Sequence, residues 1–154
     1  MASEPVYLLD TKILLRLSKR TDSNHALVKG ALDALTARGA DICCTPQNVS
    51  EFWNVCTRPS VHNGFGLSIT ETDEHLRAIE RTIRVLPDSE HIYRMWRILV
   101  VRHHVSGVRC TMPAWRQPCR STVSVIFSRF LTLNQPDFIR YTSISVVHPR
   151  NVPV

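Results

Sequence analysis

An α/β fold with a mainly parallel central sheet is predicted by three features of this chain. Short apolar β-type runs, Val6-Tyr7-Leu8-Leu9 and Asp41-Ile42-Cys43-Cys44-Thr45 early on and Arg129 to Asn134 and Ile144 to Val147 near the end, are separated by stretches of helical periodicity. The early runs lack polar alternation, as strands covered on both faces do. No repeat, low-complexity tract or change of composition divides the 154 residues, a length that suits one domain with a real core.

The elements follow in order. Val6 to Leu9 ends on Asp10-Thr11 and leads into the helical pattern Ile13, Leu14, Leu15, Leu17, which the polar turn Lys19 to Ser23 closes. Asp22 or Ser23 can cap a second helix with Ala26, Leu27, Ala31, Leu32 and Leu35 on its inner face and Gly39 as its C-terminal stop. After the second strand, Thr45-Pro46 opens a third helix over Gln47 to Thr57, with Val49, Phe52, Trp53 and Cys56 at core spacing. Residues 58 to 66, rich in Pro, Asn and Gly, read as a loop that could rim a substrate. Ser68 and Glu71 form a capping box for a fourth helix through Leu76, Ile79 and Ile83, ended by Val85-Leu86-Pro87. A fifth helix is expected over Ile92 to His104. The adjacent pair His103-His104 points to different sides of that helix, which disfavours joint metal ligation. Gln135-Pro136-Asp137-Phe138 is a tight turn or helix start between the last two strands.

Composition narrows the function. With 44% hydrophobic and 21% charged residues the chain reads as globular rather than disordered. Its apolar runs are too short for a membrane span, and Glu4 and Asp10 interrupt the region a signal peptide would need, so a cytoplasmic protein without membrane association is expected. Five cysteines, an odd number without a C-x-x-C pair, argue against a disulfide framework or a structural zinc site. The net charge of +6 permits a polyanionic partner without demanding one. The acids are unevenly spread: all but one lie in residues 1 to 90, and none falls between Glu90 and Asp137, where Arg94, Arg97, Arg102, Arg109, Arg116, Arg120 and Arg129 accumulate. Either this is a nucleic-acid face, or part of the segment was not shaped for this fold.

The acids that remain carry the chemistry. Open α/β sheets place ligands beyond the C-terminal ends of their strands, where Asp10 stands; there it could cap the next helix, bind a divalent cation, or do both. A lone Glu on an amphipathic helix is ordinarily solvated, so Glu51 matters by association: its helix follows the second strand as Asp10 follows the first. Asp137 follows a strand end in the same way. Carboxylates converging at one sheet edge repel unless a cation lies between them.

Leu9-Asp10-Thr11, Pro46-Gln47-x-x-x-Glu51-Phe52-Trp53 and Leu131-Thr132-x-Asn134-x-x-Asp137-Phe138, with Val147-His148-Pro149 closing the chain, resemble the PIN-domain nucleases, and among them the VapC-type ribonuclease toxins of toxin–antitoxin pairs. The resemblance covers residues 6 to 106 and 129 to 150. It implies a three-layer sandwich around the parallel sheet and an acidic cluster holding Mg²⁺ or Mn²⁺ that activates water against an RNA phosphodiester. By motif, Asp10, Glu51 and Asp137 carry over as catalytic and metal-binding residues, with Thr11 and Asn134 as supporting groups. A cognate antitoxin, an RNA substrate and a homodimer are the implied partners. An inactive PIN protein that binds antitoxin or RNA is the alternative.

Two departures stand out. Lys12 occupies a position where the family usually has a small polar residue, and its ammonium could compete with a metal for Asp10. Where the family has a helix opening on a His-Asp-Ala-Arg type motif, this chain has Val108 to Arg120, with no acid and with Pro113 and Pro118, which are hostile to a helix interior. The genetic code offers an explanation: read from the third base of each codon, Met112-Pro113 must give Ala, Trp115-Arg116 can give Ala, and the shifted frame can spell Val-His-Asp-Ala-Arg-Leu-Ala-Ala and, farther on, Val-His-Gly-Val-Ser. Residues from about Arg109 to about Phe127 are therefore read as a frameshifted segment, real or a sequencing error, which makes Arg109, Arg116 and Arg120 poor witnesses for RNA binding. Resequencing the gene is expected to return codons compatible with the shifted motif; a codon set that cannot encode it ends this reading.

Overall fold

In the computed structural model the described residues are 5–87, 89, 90, 93, 94, 97, 101, 129–138 and 145–153. Most of the helix expected over Ile92 to His104, the His103-His104 pair and the segment 109 to 127 lie outside them. Five strands, β1 (Val6–Leu9), β2 (Asp41–Cys44), β3 (Arg84–Val85), β4 (Arg129–Leu131) and β5 (Ser145–Val147), form one sheet in the order β3-β2-β1-β4-β5. All four pairings are parallel, as the uninterrupted apolar runs predict, and helices pack against the sheet.

The chain steps outward from β1 to β2 to β3 and then crosses to the other side of β1 for β4 and β5. That reversal creates a switch point between β1 and β4, the place where parallel sheets open a crevice beyond their strand ends. The ladder runs right up to it, with the Asp10 amide donating to the Leu131 carbonyl at 3.0 Å and the Thr132 amide to the Val147 carbonyl at 3.0 Å.

Helix α1 (Thr11–Ser18) buries Ile13 and Leu14, and α2 (His25–Ala37) buries Val28, Ala31, Leu32 and Leu35. The expected α2 face included Ala26 and Leu27, yet Ala26 is exposed and Leu27 only half-buried. Val28, Ala31, Leu32 and Leu35 make a cleaner i, i+3, i+4, i+7 stripe, and the larger Val wins the core position over Ala. The cap also differs: Asn24 takes the N-cap position without a side-chain hydrogen bond, while Asp22 pairs with Arg16 at 2.9 Å. Helix α3 (Pro46–Thr57) has Pro46 in its first turn as expected and adds a Thr45–Asn48 capping box, while α4 (Ile69–Glu80) is capped by the Ser68 and Glu71 box, as the sequence predicts.

Three boundaries move. Arg84–Val85, read as the end of the fourth helix, is a two-residue strand whose pairing with β2 no periodicity could announce. β4 stops at Leu131 instead of running to Asn134, because Thr132 turns its hydroxyl inward and accepts the Asn134 amide at 3.0 Å. Residues 59 to 67 fold back on the C-terminal end of α3, where the Phe65 amide caps the Val55 carbonyl and the Leu67 amide the Cys56 carbonyl, each at 2.9 Å. Gly64 is required in that strap, since a Cβ there would lie 1.8 Å from the Arg58 carbonyl oxygen. The strap thus caps the helix end that points away from Asp10.

Cys43, Cys44 and Cys56 are free and buried in the core. Burial pushes the Cys43 and Cys44 thiols up to about 12 and Cys56 to about 11, so the reactive thiolate is scarce in the folded protein. With Cys110 and Cys119 replaced by Ser, a thiol-reactive aromatic disulfide at pH 8 is expected to label none of the three until guanidinium unfolds the chain; rapid labelling without denaturant would contradict this packing.

Candidate active site

Asp10 follows the last residue of the central strand and occupies the N-cap position of α1, but its side chain makes no capping hydrogen bond. The carboxylate instead turns into the crevice between β1 and β4. The Thr132 hydroxyl donates to Asp10 Oδ2 at 2.8 Å, and that hydroxyl accepts the Asn134 amide at 3.0 Å. Asp10 is 0% exposed, yet its Oδ1 has no hydrogen-bond partner among the described residues. Lys12 makes no hydrogen bond to this oxygen.

The second carboxylate arrives from α3. Thr11, next to Asp10 and buried, donates its hydroxyl to Glu51 Oε2 at 2.6 Å, a distance typical of a charge-assisted O–H···O⁻ bond. Thr11 in turn accepts the Asn48 side-chain amide at 3.0 Å. Asn48 is fully buried, and its Oδ1 accepts both the Thr45 amide and the Thr45 hydroxyl at 2.8 Å. Residues 11 and 51 are thereby tied across forty positions, and 10 and 132 across more than a hundred.

The structure brings Asp10, Thr11, Glu51 and the backbone of Asn134 to one end of the sheet. Asp137 lies in the 3₁₀ turn Gln135–Asp137, directly after β4 and held over it by the Gln135 amide on the Val146 carbonyl at 3.1 Å and by the Phe130–Phe138 ring contact at 4.7 Å. The Asp137 side chain lies outside the described ones. Among the described residues no group of three or more His, Cys, Asp or Glu is placed to hold a metal ion. Two carboxylates are present, both hard oxygen donors of the kind Mg²⁺ and Mn²⁺ prefer, and one oxygen of the buried acid is unsatisfied. That donor set fits a divalent cation.

Two participants, Asn48 and Thr132, were not assigned a role from the sequence. Asn48 could have been found, because it falls on the i, i+4, i+8 line Asn48, Phe52, Cys56, where a polar residue interrupts the buried stripe. Thr132 carries no such signal, since a Thr just past a strand is common. A groove of about 950 Å³ between the end of α1, α2 and α4, lined by Leu17, His25, Leu32, His75 and Ile79, includes neither acid.

A five-stranded parallel α/β sheet with two acids, Asp10 and Glu51, at its switch point defines the class of protein. The chain belongs to the PIN domain family, whose sequence pattern matches residues 7–107. Its fold is similar to that of VapBC2 from Rickettsia felis, solved bound to a DNA fragment from its promoter, with 12% identity, 93% of this chain and 98% of that chain covered and a TM-score of 0.63. It is also similar to VapBC-1 from nontypeable Haemophilus influenzae (17% identity, 95% and 99% covered, TM-score 0.56) and to Mycobacterium tuberculosis VapC20, a toxin that cleaves the sarcin–ricin loop (13% identity, 90% and 98% covered, TM-score 0.55). No curated protein matches.

An unsatisfied buried carboxylate opposes folding when no cation neutralises it. Asp10→Asn is expected to stabilise the protein in EDTA by about 1 kcal/mol or more, read by urea unfolding at pH 7; a loss of stability would show that the charge is already compensated.

Proposed function

We propose that this chain is a divalent-metal-dependent endoribonuclease of the VapC toxin type, with Asp10, Glu51 and Asp137 as its catalytic and metal-binding acids and Thr11 and Asn134 as supporting groups. The observation that carries the proposal is the Asp10 Oδ1, buried without a partner among the described residues at the sheet's switch point, with a second, hydroxyl-held carboxylate on Glu51. The ion, Mg²⁺ or Mn²⁺, would be held by these acids and would supply a more acidic water and charge neutralisation at the phosphodiester. Thr132 fixes Asp10 through Oδ2, and Thr11 fixes Glu51 through Oε2. Both acids are therefore oriented before substrate arrives, which lowers the reorganisation needed during reaction. The described side chains that converge here offer no Ser–His or Cys–His pair, and the cysteines of the core are buried with raised pKa values, so metal-assisted hydrolysis suits the residues better than a covalent route.

The partners in this reading are an RNA substrate, a cognate antitoxin and a second copy of the chain. The similar solved structures support it: VapC20 cleaves an RNA loop, and the VapBC assemblies pair the toxin fold with its antitoxin. The address is the cytoplasm; among the described residues no helix is long and apolar enough to cross a membrane. We also propose a single PIN domain over residues 1 to 154, with about 109 to 127 aberrant by frameshift.

A second reading is favoured by the absence of any acid from Val108 to Arg120, where the family carries a further ligand, and of a three-ligand cluster among the described residues. Under it the chain is an inactive PIN protein that retains antitoxin or RNA binding. Loss of one metal ligand commonly costs orders of magnitude in rate, so the two readings separate in one assay. Cleavage of a structured RNA is expected with Mn²⁺, abolished by EDTA and reduced at least about a hundredfold by Asp10→Asn. Equal cleavage by wild type and Asp10→Asn would refute the nuclease assignment, and RNA binding without EDTA-sensitive cleavage would establish the inactive form.

A further inference from the structure

We infer that Asn48 is a positioning residue that sets the direction of the Thr11 hydroxyl and, through it, the orientation of Glu51; the inference rests on Glu51 being a metal ligand. The assignment of the amide atoms follows from chemistry. Asn48 Oδ1 faces the Thr45 backbone N–H at 2.8 Å, and that group can only donate, so the atom it meets must be the oxygen. Nδ2 is therefore the atom 3.0 Å from Thr11 Oγ1, and it can only donate. The Thr11 oxygen accepts from Asn48, and its single proton is left for Glu51 Oε2 at 2.6 Å.

The direction of this chain is set at its far end by the start of α3. Thr45 caps the helix by accepting the Asn48 backbone N–H on its hydroxyl oxygen at 3.3 Å, and that hydroxyl donates its own proton to Asn48 Oδ1 at 2.8 Å. All three side chains, from Thr45 to Thr11, are thus locked in one polarity before Glu51 is reached. Burial of Asn48 at 0% exposure excludes competing water from the middle of the relay. Helix capping alone would be served by a residue with only an acceptor. The donor on Nδ2 is the part capping does not use.

Asn48→Asp separates the two roles, because it keeps the acceptor for Thr45 and replaces the donor by a second acceptor that competes for the Thr11 proton. In the crystal structure of the metal-free variant, Thr11 Oγ1 and Glu51 Oε2 are expected to lie beyond about 3.5 Å; a retained hydrogen bond would overturn the inference. Titration calorimetry with Mn²⁺ alone gives the second readout. Asn48→Asp and Thr11→Val are each expected to weaken Mn²⁺ binding by about 10- to 100-fold, as loss of an outer-shell partner does, and Thr11→Ser to preserve it. In the Thr11→Val background Asn48→Asp should cost nothing more; additive losses would mean Asn48 acts by a route other than Thr11 and sink the idea. If Asn48→Asp does not fold, Asn48→Ser, which withdraws the amide donor and keeps a small cap, carries the same readings. Wild type that binds no Mn²⁺ would overturn the metal assignment of Glu51 instead, while the crystallographic distance still decides the relay.

Discussion

A carboxylate buried to 0% exposure, one of whose oxygens has no partner among the described residues, is the constraint around which this domain is arranged. Ionised groups in the interior cost several kcal/mol unless charge or hydrogen bonds compensate them. Asp10 receives one such bond, from Thr132, and it receives it only because β4 lies beside β1 in the sheet. The apolar strand before it and the fully buried Ile13 and Leu14 after it anchor the backbone on either side of the acid in the core. A divalent ion held there, as proposed above, would supply the missing charge compensation.

Two hydroxyl groups divide the work of holding the acids. Thr132 takes a backbone N–H and gives its proton to Asp10; Thr11 takes a side-chain N–H and gives its proton to Glu51. In both, an obligate donor behind the Thr forces the proton forward. The supports differ in kind. One is a turn of the chain just past β4, the other the first turn of α3, so the same hydrogen bonds that end a strand and begin a helix also aim the carboxylates.

Much of the framework was legible in the residues. Ser68 with Glu71 announced one helix start through a capping box between neighbours three positions apart, and Pro46 announced another through its fixed backbone angle; the Thr45–Asn48 box at that second start was not foreseen. The apolar runs at Val6 and Asp41 announced buried parallel strands. What failed was local ambiguity: Ala26 and Val28 both satisfy a helical period, and a two-residue strand such as Arg84–Val85 has no period at all. Its position is set by the ladder with Cys43 and Cys44 and by the ion pair of Arg84 with Asp41, neither of which is local.

By itself the sequence determined the class of fold, the starts of α3 and α4 to within a residue and the placing of Asp10 and Glu51 after strand ends, because periodicity and capping act between residues a few positions apart. Tertiary structure alone decided that the Asp10 side chain turns from capping to Thr132, that Thr11 and Asn48 connect Glu51 to the start of α3, and that one buried Asp10 oxygen has no partner among the described residues. These contacts join residues 37 to 122 positions apart, and they exist only once the order of the strands has brought those chain segments to the same crevice.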